Sequence, residues 1–190
     1  MTEDYERLYG QYYPWHLESI GGNAHRLAED AAPVSIDYKD KVVLDIGADW
    51  GSTAEFFLKK GAKSVIAVES DDERFNRLQQ LAKDNQAILP VNLRINNVFS
   101  YYNLITSHQP DIIKIDCEGC EKHLVGLSQH VLRIPSLYII EYHDVYDTTL
   151  KQYLIHKGFH IVGCLKWANT MDKQVFEKTH IEVIICERMG

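Results

Sequence analysis

Asp45-Ile46-Gly47-Ala48-Asp49-Trp50-Gly51 follows the apolar run Val42-Val43-Leu44 and precedes an amphipathic stretch from Ser52 to Lys60. A strand, a glycine-bearing turn and a helix in that order form the first unit of an open parallel sheet. Ligands on such sheets bind beyond the carboxyl ends of the strands, where the strand order reverses. The turn also discriminates between nucleotide sites. A dinucleotide fingerprint starting at Gly47 needs glycine at 49 and 52, and those positions hold Asp49 and Ser52. Here an acid opens the loop and glycines follow two and six positions later. That pattern has no pyrophosphate cradle, and it suits a nucleoside whose amino group is drawn to a carboxylate. Gly47 and Gly51 are expected to let the backbone approach that ligand without a Cβ in the way.

Outward from this loop, short apolar runs alternate with amphipathic stretches. Ser64 to Glu69 is apolar on both faces and reads as a central strand. Asp71, Asp72 and Glu73 then place negative charge at a helix N-terminus, and Phe75, Leu78, Leu81 and Ala82 form its buried stripe. Val91 to Ile95 reads as a weaker, alternating strand, and Val98 to Ser107 as a poorly patterned segment or short helix. Asp111 to Asp116 and Leu137 to Glu141 are further strands. A helix with Tyr146, Leu150, Tyr153 and Leu154 inward ends at Gly158. Phe159 to Leu165 and Ile181 to Cys186 lie too close in sequence for a packed crossover helix, so they are expected to be antiparallel. The expected fold is α/β, a doubly wound, seven-stranded, mostly parallel, Rossmann-like sheet closed by a C-terminal antiparallel pair. It resembles the plan of the class I methyltransferases.

Residues 41–190 form the expected cofactor-binding domain, and residues 1–40 differ in character. Tyr5, Leu8, Tyr9 and Tyr12 are spaced for one helical face, Tyr13, Pro14 and Trp15 follow, and Gly21-Gly22 intervenes. The segment reads as a helical extension that caps the sheet, with a lid over the cleft as its functional alternative.

Bulk properties narrow the partners. The chain has 190 residues, 45% of them hydrophobic and 25% charged, which is the profile of an ordinary globular domain. It has no apolar run of about 20 residues to span a bilayer and no apolar leader, so a cytoplasmic location is the expectation. A net charge of −7, with Lys and Arg dispersed, disfavours nucleic acid as the main partner. The oligomeric state is not legible. Cys117 and Cys120 form a C-x-x-C, but Cys164 and Cys186 do not supply the second pair of a zinc site. A redox pair of the thioredoxin kind follows the first strand of its sheet rather than a late one. The pair therefore reads as two ordinary thiols.

Chemistry-bearing residues gather at strand ends. Glu69, with Ser70 beside it, closes the second strand, where a carboxylate can accept hydrogen bonds from both ribose hydroxyls. Asn96 and Asn97 are expected at the end of the third strand, within reach of an adenine edge. Asp116 and Glu118 follow the fourth strand. Glu141 and His143 follow the fifth and share a face by the period of two. His143 is the natural base near neutral pH, with Asp116 or Glu118 orienting an acceptor. The same side chains are also the donor types of a divalent-cation site, although no metal is assigned.

Asp45 to Gly51, Glu69, Lys114-Ile115-Asp116-Cys117-Glu118-Gly119-Cys120-Glu121 and Glu141-Tyr142-His143 together resemble the FkbM-type methyltransferases. Those proteins carry a "DIGANIG"-like loop, an acid closing the second strand, a "KIDVEGAE"-like fourth strand, and an acid with histidine two residues on. The resemblance spans about residues 41 to 145. Asp49, Trp50, Cys117, Cys120 and the Tyr-rich N-terminus depart from it. It implies S-adenosylmethionine as cofactor, and with the strand-end reading the candidate binding residues are Asp45, Gly47, Ala48, Asp49, Gly51, Glu69, Ser70, Asn96, Asn97 and Asp116. It implies as activity the O-methylation of a hydroxyl on a small or carbohydrate-like acceptor. His143, Asp116, Glu118 and Glu141 are then the catalytic candidates. No Asn/Asp-Pro-Pro-Tyr/Phe and no Pro-Cys nucleophile is present, so oxygen is favoured over base nitrogen or carbon as acceptor. The alternatives are an RNA methyltransferase and a non-catalytic cofactor-binding protein that has kept the fold.

Overall fold

A computed structural model describes residues 25–26, 36–143, 148–167 and 181–189. The aromatic N-terminal segment and Tyr146 lie outside these residues, and so does the lid expectation. Strands β1 (His25–Arg26), β2 (Val42–Ile46), β3 (Ser64–Glu69), β4 (Ile88–Asn92), β5 (Ile112–Ile115), β6 (Leu137–Tyr142), β7 (Phe159–Trp167) and β8 (Ile181–Arg188) form one sheet. Their order is β1-β7-β8-β6-β5-β2-β3-β4. The seven expected strands are present, and two-residue β1 adds an antiparallel edge to β7. The pairs from β4 through β6 are parallel. β8 runs antiparallel to both β6 and β7, as its short connection demands.

Helices α1 (Ser52–Lys59), α2 (Asp72–Asp84), α3 (Val98–His108), α4 (Gln129–Leu132) and α5 (Thr149–His156) cover the sheet, and a 3₁₀ turn spans Cys120–Leu124. Helix α2 starts where the acidic run predicts. Asp71 caps it, Oδ1 accepting from the Glu73 and Arg74 amides at 3.0 Å. Leu78 is its fully buried residue, with Phe75, Leu81 and Ala82 partly buried against the same core.

The period of two divides the apolar residues between two cores. Leu44, Ile46, Ile113 and Ile115 pack with Tyr101, Leu124 and Tyr138 on one face. Val43, Val65, Ile112 and Ile139 pack with Phe57, Ala54 and Leu78 on the other.

Two boundaries differ from expectation. The third βα unit carries its strand at Ile88–Asn92, not Val91–Ile95. β4 is the sheet edge, where Pro90 is tolerated because its missing N–H is not needed by a further strand. The segment from Val98 is a full eleven-residue helix rather than an irregular stretch.

Candidate active site

The reversal point of the sheet lies between β2 and β5, which both run parallel and pair directly. Asp45 and Lys114 are register partners across that pair, so their side chains leave the same face. Lys114 Nζ lies 3.1 Å from Asp45 Oδ1, 3.7 Å from Asp116 Oδ2 and 2.8 Å from the Gly47 carbonyl oxygen, to which it donates. Burial alone would lower the Lys114 pKa, but Asp45 and Asp116 outweigh it and hold the group above its ordinary value. A single buried ammonium therefore ties the β2 loop to the end of β5. Lys114 was legible as an anomaly, a charge inside the run Ile112-Ile113-Ile115, yet the sequence alone assigned it no role.

This arrangement defines the surroundings of Asp45. Its side chain is wholly buried, and its other oxygen accepts a 2.5 Å hydrogen bond from Thr53 Oγ1. Both of its oxygens thus face neighbouring protein groups. The glycines also meet a packing requirement. Gly47 has φ +78°, and a Cβ there would lie 1.6 Å from the Asp116 carbonyl oxygen. Gly51 has φ +94°, and a Cβ there would meet Leu81 Cδ2 at 2.5 Å. At both positions a side chain would collide with neighbouring protein.

Ala48 is buried, and its amide and that of Gly47 both donate to the Val68 carbonyl. Asp49 stands in the left-handed region at φ +50°, with Oδ1 3.3 Å from Arg74 Nε. The Arg77 guanidinium lies 4.5 Å from the centre of the Trp50 ring. Glu69 is nearly buried. Its Oε2 accepts from the Asp49 amide at 2.9 Å, and its Oε1 accepts from the Ser70 and Asp71 amides at 2.7 Å each. A carboxylate offers about four acceptor positions, so one remains on Oε2. The two-hydroxyl clasp expected of Glu69 would therefore share its oxygens with three backbone amides.

Asn96 and Asn97 lie beyond the end of β4, in the link to α3. Asn97 Oδ1 caps α3, accepting from Phe99 and Ser100, and its Nδ2 donates to Asn96 Oδ1 at 2.6 Å. Both residues are exposed, and the Asn97 oxygen is committed to the helix.

The strand-end cluster does assemble. His143 Nε2 lies 3.3 Å from Glu118 Oε2 and 3.9 Å from Glu141 Oε1, and Nδ1 lies 3.5 Å from Glu121 Oε1. Glu121 Oε1 also accepts from the His143 amide at 3.1 Å. Glu121, buried and given no role by the sequence reading, is the carboxylate that faces Nδ1 of the ring and holds the His143 backbone amide. Burial would lower the His143 pKa, but Glu121, Glu118 and Glu141 prevail and push it up to about 9. Burial likewise raises Glu121, and the hydrogen bonds from His143 outweigh it, leaving that carboxyl below its usual range. At neutral pH this imidazole is therefore charged, which corrects the expectation of a base poised near 7. Asp116, Glu118 and His143 have ligand atoms within 4.8 Å of one another, the spacing that a divalent cation would also require.

Cys117 and Cys120 are joined in a disulfide, a correction to the reading of two ordinary thiols. Glu118 at φ +55° and Gly119 at φ +103° turn the chain back on itself. This brings the two Cα atoms to 5.5 Å, inside the range a disulfide spans.

No protein-family model matches the chain. An uncharacterized protein, 158B, of Sulfolobus islandicus rod-shaped virus 1 is 37% identical over 91 residues, covering 47% of this chain and 54% of that one. The chain spans about half the length of the curated relatives it matches. Among solved structures, a Pyrococcus horikoshii protein provisionally described as an RNA methyltransferase matches with a TM-score of 0.56 at 18% identity. That match covers 81% of this chain and 77% of that one. Aeropyrum pernix fibrillarin, in complex with natively bound S-adenosyl-L-methionine, matches with a TM-score of 0.53 at 15% identity, covering 80% and 69%. At these identities the likeness establishes the fold, that of the Rossmann-like methyltransferases.

Proposed function

We propose that the chain is an S-adenosylmethionine-dependent methyltransferase acting on a hydroxyl oxygen of a small or carbohydrate-like acceptor. One observation carries the reading. Lys114 joins the glycine loop to Asp116, so the expected cofactor side and the carboxylate–histidine side form one constellation at the switch point. The donor set fits the cofactor. Glu69 retains one acceptor position for a ribose hydroxyl, and Asp116 adds a carboxylate that suits an amino or sulfonium cation. Asp49, Ser70, Asn96 and Asn97 line the same end of the sheet and remain candidate contacts. When bound, the cofactor supplies an activated methyl cation equivalent.

What the protein itself must do is orient the hydroxyl and take its proton. Glu118 and Glu141 accept hydrogen bonds from the acceptor. His143 Nε2 takes the proton once its own has left, and Glu121 fixes the ring at Nδ1. The FkbM-like motifs support oxygen as the nucleophile. Calorimetry with S-adenosylhomocysteine is the first test, and binding of NAD in its place would overturn the reading.

RNA methyl transfer is the second reading, favoured by the provisional description of the Pyrococcus horikoshii protein and opposed by the net charge of −7. Acceptor binding that falls steeply with salt would support it. Cofactor binding without turnover on any hydroxyl or RNA acceptor would leave the non-catalytic alternative. Among the described residues no helix is long and apolar enough to cross a membrane.

A further inference from the structure

The loop from Asp116 to Glu121 holds three of the four carboxylates closest to His143 or Lys114 at the β5 end, and the disulfide is built into it. Glu118 lies inside the ring closed by Cys117 and Cys120, and Glu121 follows it directly. The ring holds Glu118 at a positive φ that a non-glycine residue avoids when unconstrained, and in that pose its carboxylate reaches His143 Nε2 at 3.3 Å. The two sulfurs differ in surroundings. Cys117 is partly exposed, whereas Cys120 is buried. The Tyr101 hydroxyl sits 3.2 Å from Cys120 Sγ and 3.3 Å from the Cys120 carbonyl oxygen. Burial, then Glu121, raises the Tyr101 pKa well above its ordinary value, so that hydroxyl keeps its hydrogen.

We propose that Cys117–Cys120 is a thiol–disulfide exchange site whose opening and closing sets the placement of Glu118 and Glu121 against His143. The reductant is a dithiol. Its thiolate attacks Cys117 Sγ, the accessible sulfur, and the Cys117–Cys120 bond breaks with its electron pair passing to Cys120 Sγ. Tyr101 donates a hydrogen bond to that leaving thiolate, which lowers the barrier on the side where water is excluded. The dithiol's second thiolate then displaces Cys117 from the mixed disulfide. The dithiol ends as a cyclic disulfide, and the protein ends with two thiols after proton uptake. Two electrons pass from the dithiol to the protein. In the open form nothing covalent holds Glu118 in the left-handed region, and its contact with His143 is released. The exchange site stands on this geometry alone, while its consequence for turnover rests on the proposed reaction.

The test uses the native full chain titrated with dithiothreitol, followed by alkylation and peptide mapping of Cys117 and Cys120. Amide exchange is read by NMR in parallel. The air-oxidised protein is expected to carry the 117–120 crosslink and to open it reversibly while folded. On opening, the His143 amide, which is held by Glu121 Oε1, should exchange at least tenfold faster. The β5 and β6 amides of Ile113 and Ile139 should not change. Cys117→Ser with Cys120→Ser should exchange like the reduced protein and ignore the reductant. An absent crosslink, opening only upon global unfolding, or unchanged exchange at His143 would each overturn the proposal. None of these readouts depends on methyl transfer, so failure of that reading is separately visible.

Discussion

Lys114 and Asp45 form an ion pair at 3.1 Å in which the two side chains are 1% and 0% exposed. A pair removed from water to this degree gains little net stability from existing, but losing one partner leaves a charge buried without compensation. Lys114→Met should therefore cost roughly 3–5 kcal/mol, read from urea denaturation. It should also loosen the loop, because the Gly47 carbonyl loses its donor. Lys114→Met with Asp45→Leu should recover much of that loss. A single variant as stable as wild type would show that water already reaches the pair.

Gly47 faces the Asp116 carbonyl, and no side chain fits between them. Gly47→Ala adds a left-handed backbone cost of about 1–2 kcal/mol and forces β2 and β5 apart at their carboxyl ends, roughly 1–3 kcal/mol more. Thermal denaturation should register the sum. Calorimetry on the folded fraction should show weakened S-adenosylhomocysteine binding, since the loop and Asp116 shift together.

Glu69 tests the cofactor placement. Glu69→Ala removes the acceptor of three amide hydrogens as well as the remaining position on Oε2. Hydrogen bonds to a charged group contribute about 1.5–3 kcal/mol, so affinity for S-adenosylhomocysteine should fall at least tenfold by calorimetry. Glu69→Gln replaces one oxygen with a donor that faces amide donors and should weaken binding nearly as much. Unchanged affinity in both variants would put the ribose elsewhere.

The strands were readable because apolar period and turn chemistry agree from Val42 to Leu137. The exception is instructive. Val91, Leu93 and Ile95 alternate as a strand should, and Ile95 is buried, yet the sheet pairs Ile88 to Asn92 with β3. The alternation reported packing against the core rather than pairing, and Pro90 concealed the true strand. The strand-end cluster of Glu118, Glu141 and His143 was legible from the period of two and the motif. Glu121 was not, because its approach to His143 depends on the tight turn at Glu118 and Gly119. That same turn decides whether Cys117 and Cys120 meet, and no spacing rule contains its dihedral angles. The place of Asp45 in the chain was legible, but its partners were not. Only the cross-strand register reveals that Lys114 occupies its carboxylate.

His143 ties stability and turnover to the same pH window. Its folded-state pKa of about 9 lies above the ordinary 6.5, so the imidazolium is favoured by the folded protein. The stability this supplies is complete below about pH 6.5 and is lost as pH rises through about 9. Glu121, held below its usual range, contributes in the opposite sense, with its share lost only as pH falls through its depressed pKa. Unfolding free energy should therefore decline between pH 6.5 and 9, and His143→Asn should flatten that decline. Turnover should move the other way. If His143 Nε2 takes the acceptor proton, only the neutral imidazole works, and at pH 7 that is roughly one molecule in a hundred. The logarithm of kcat/KM should then rise with unit slope from pH 7 and level off near 9. His143→Ala should lower turnover on the order of 10²-fold while leaving cofactor affinity nearly intact. A rate independent of pH between 7 and 9 would remove His143 from the proton path and pass the role to Asp116 or Glu118. Activity lost with a chelator and restored by a divalent ion would instead assign Asp116, Glu118 and His143 to a cation.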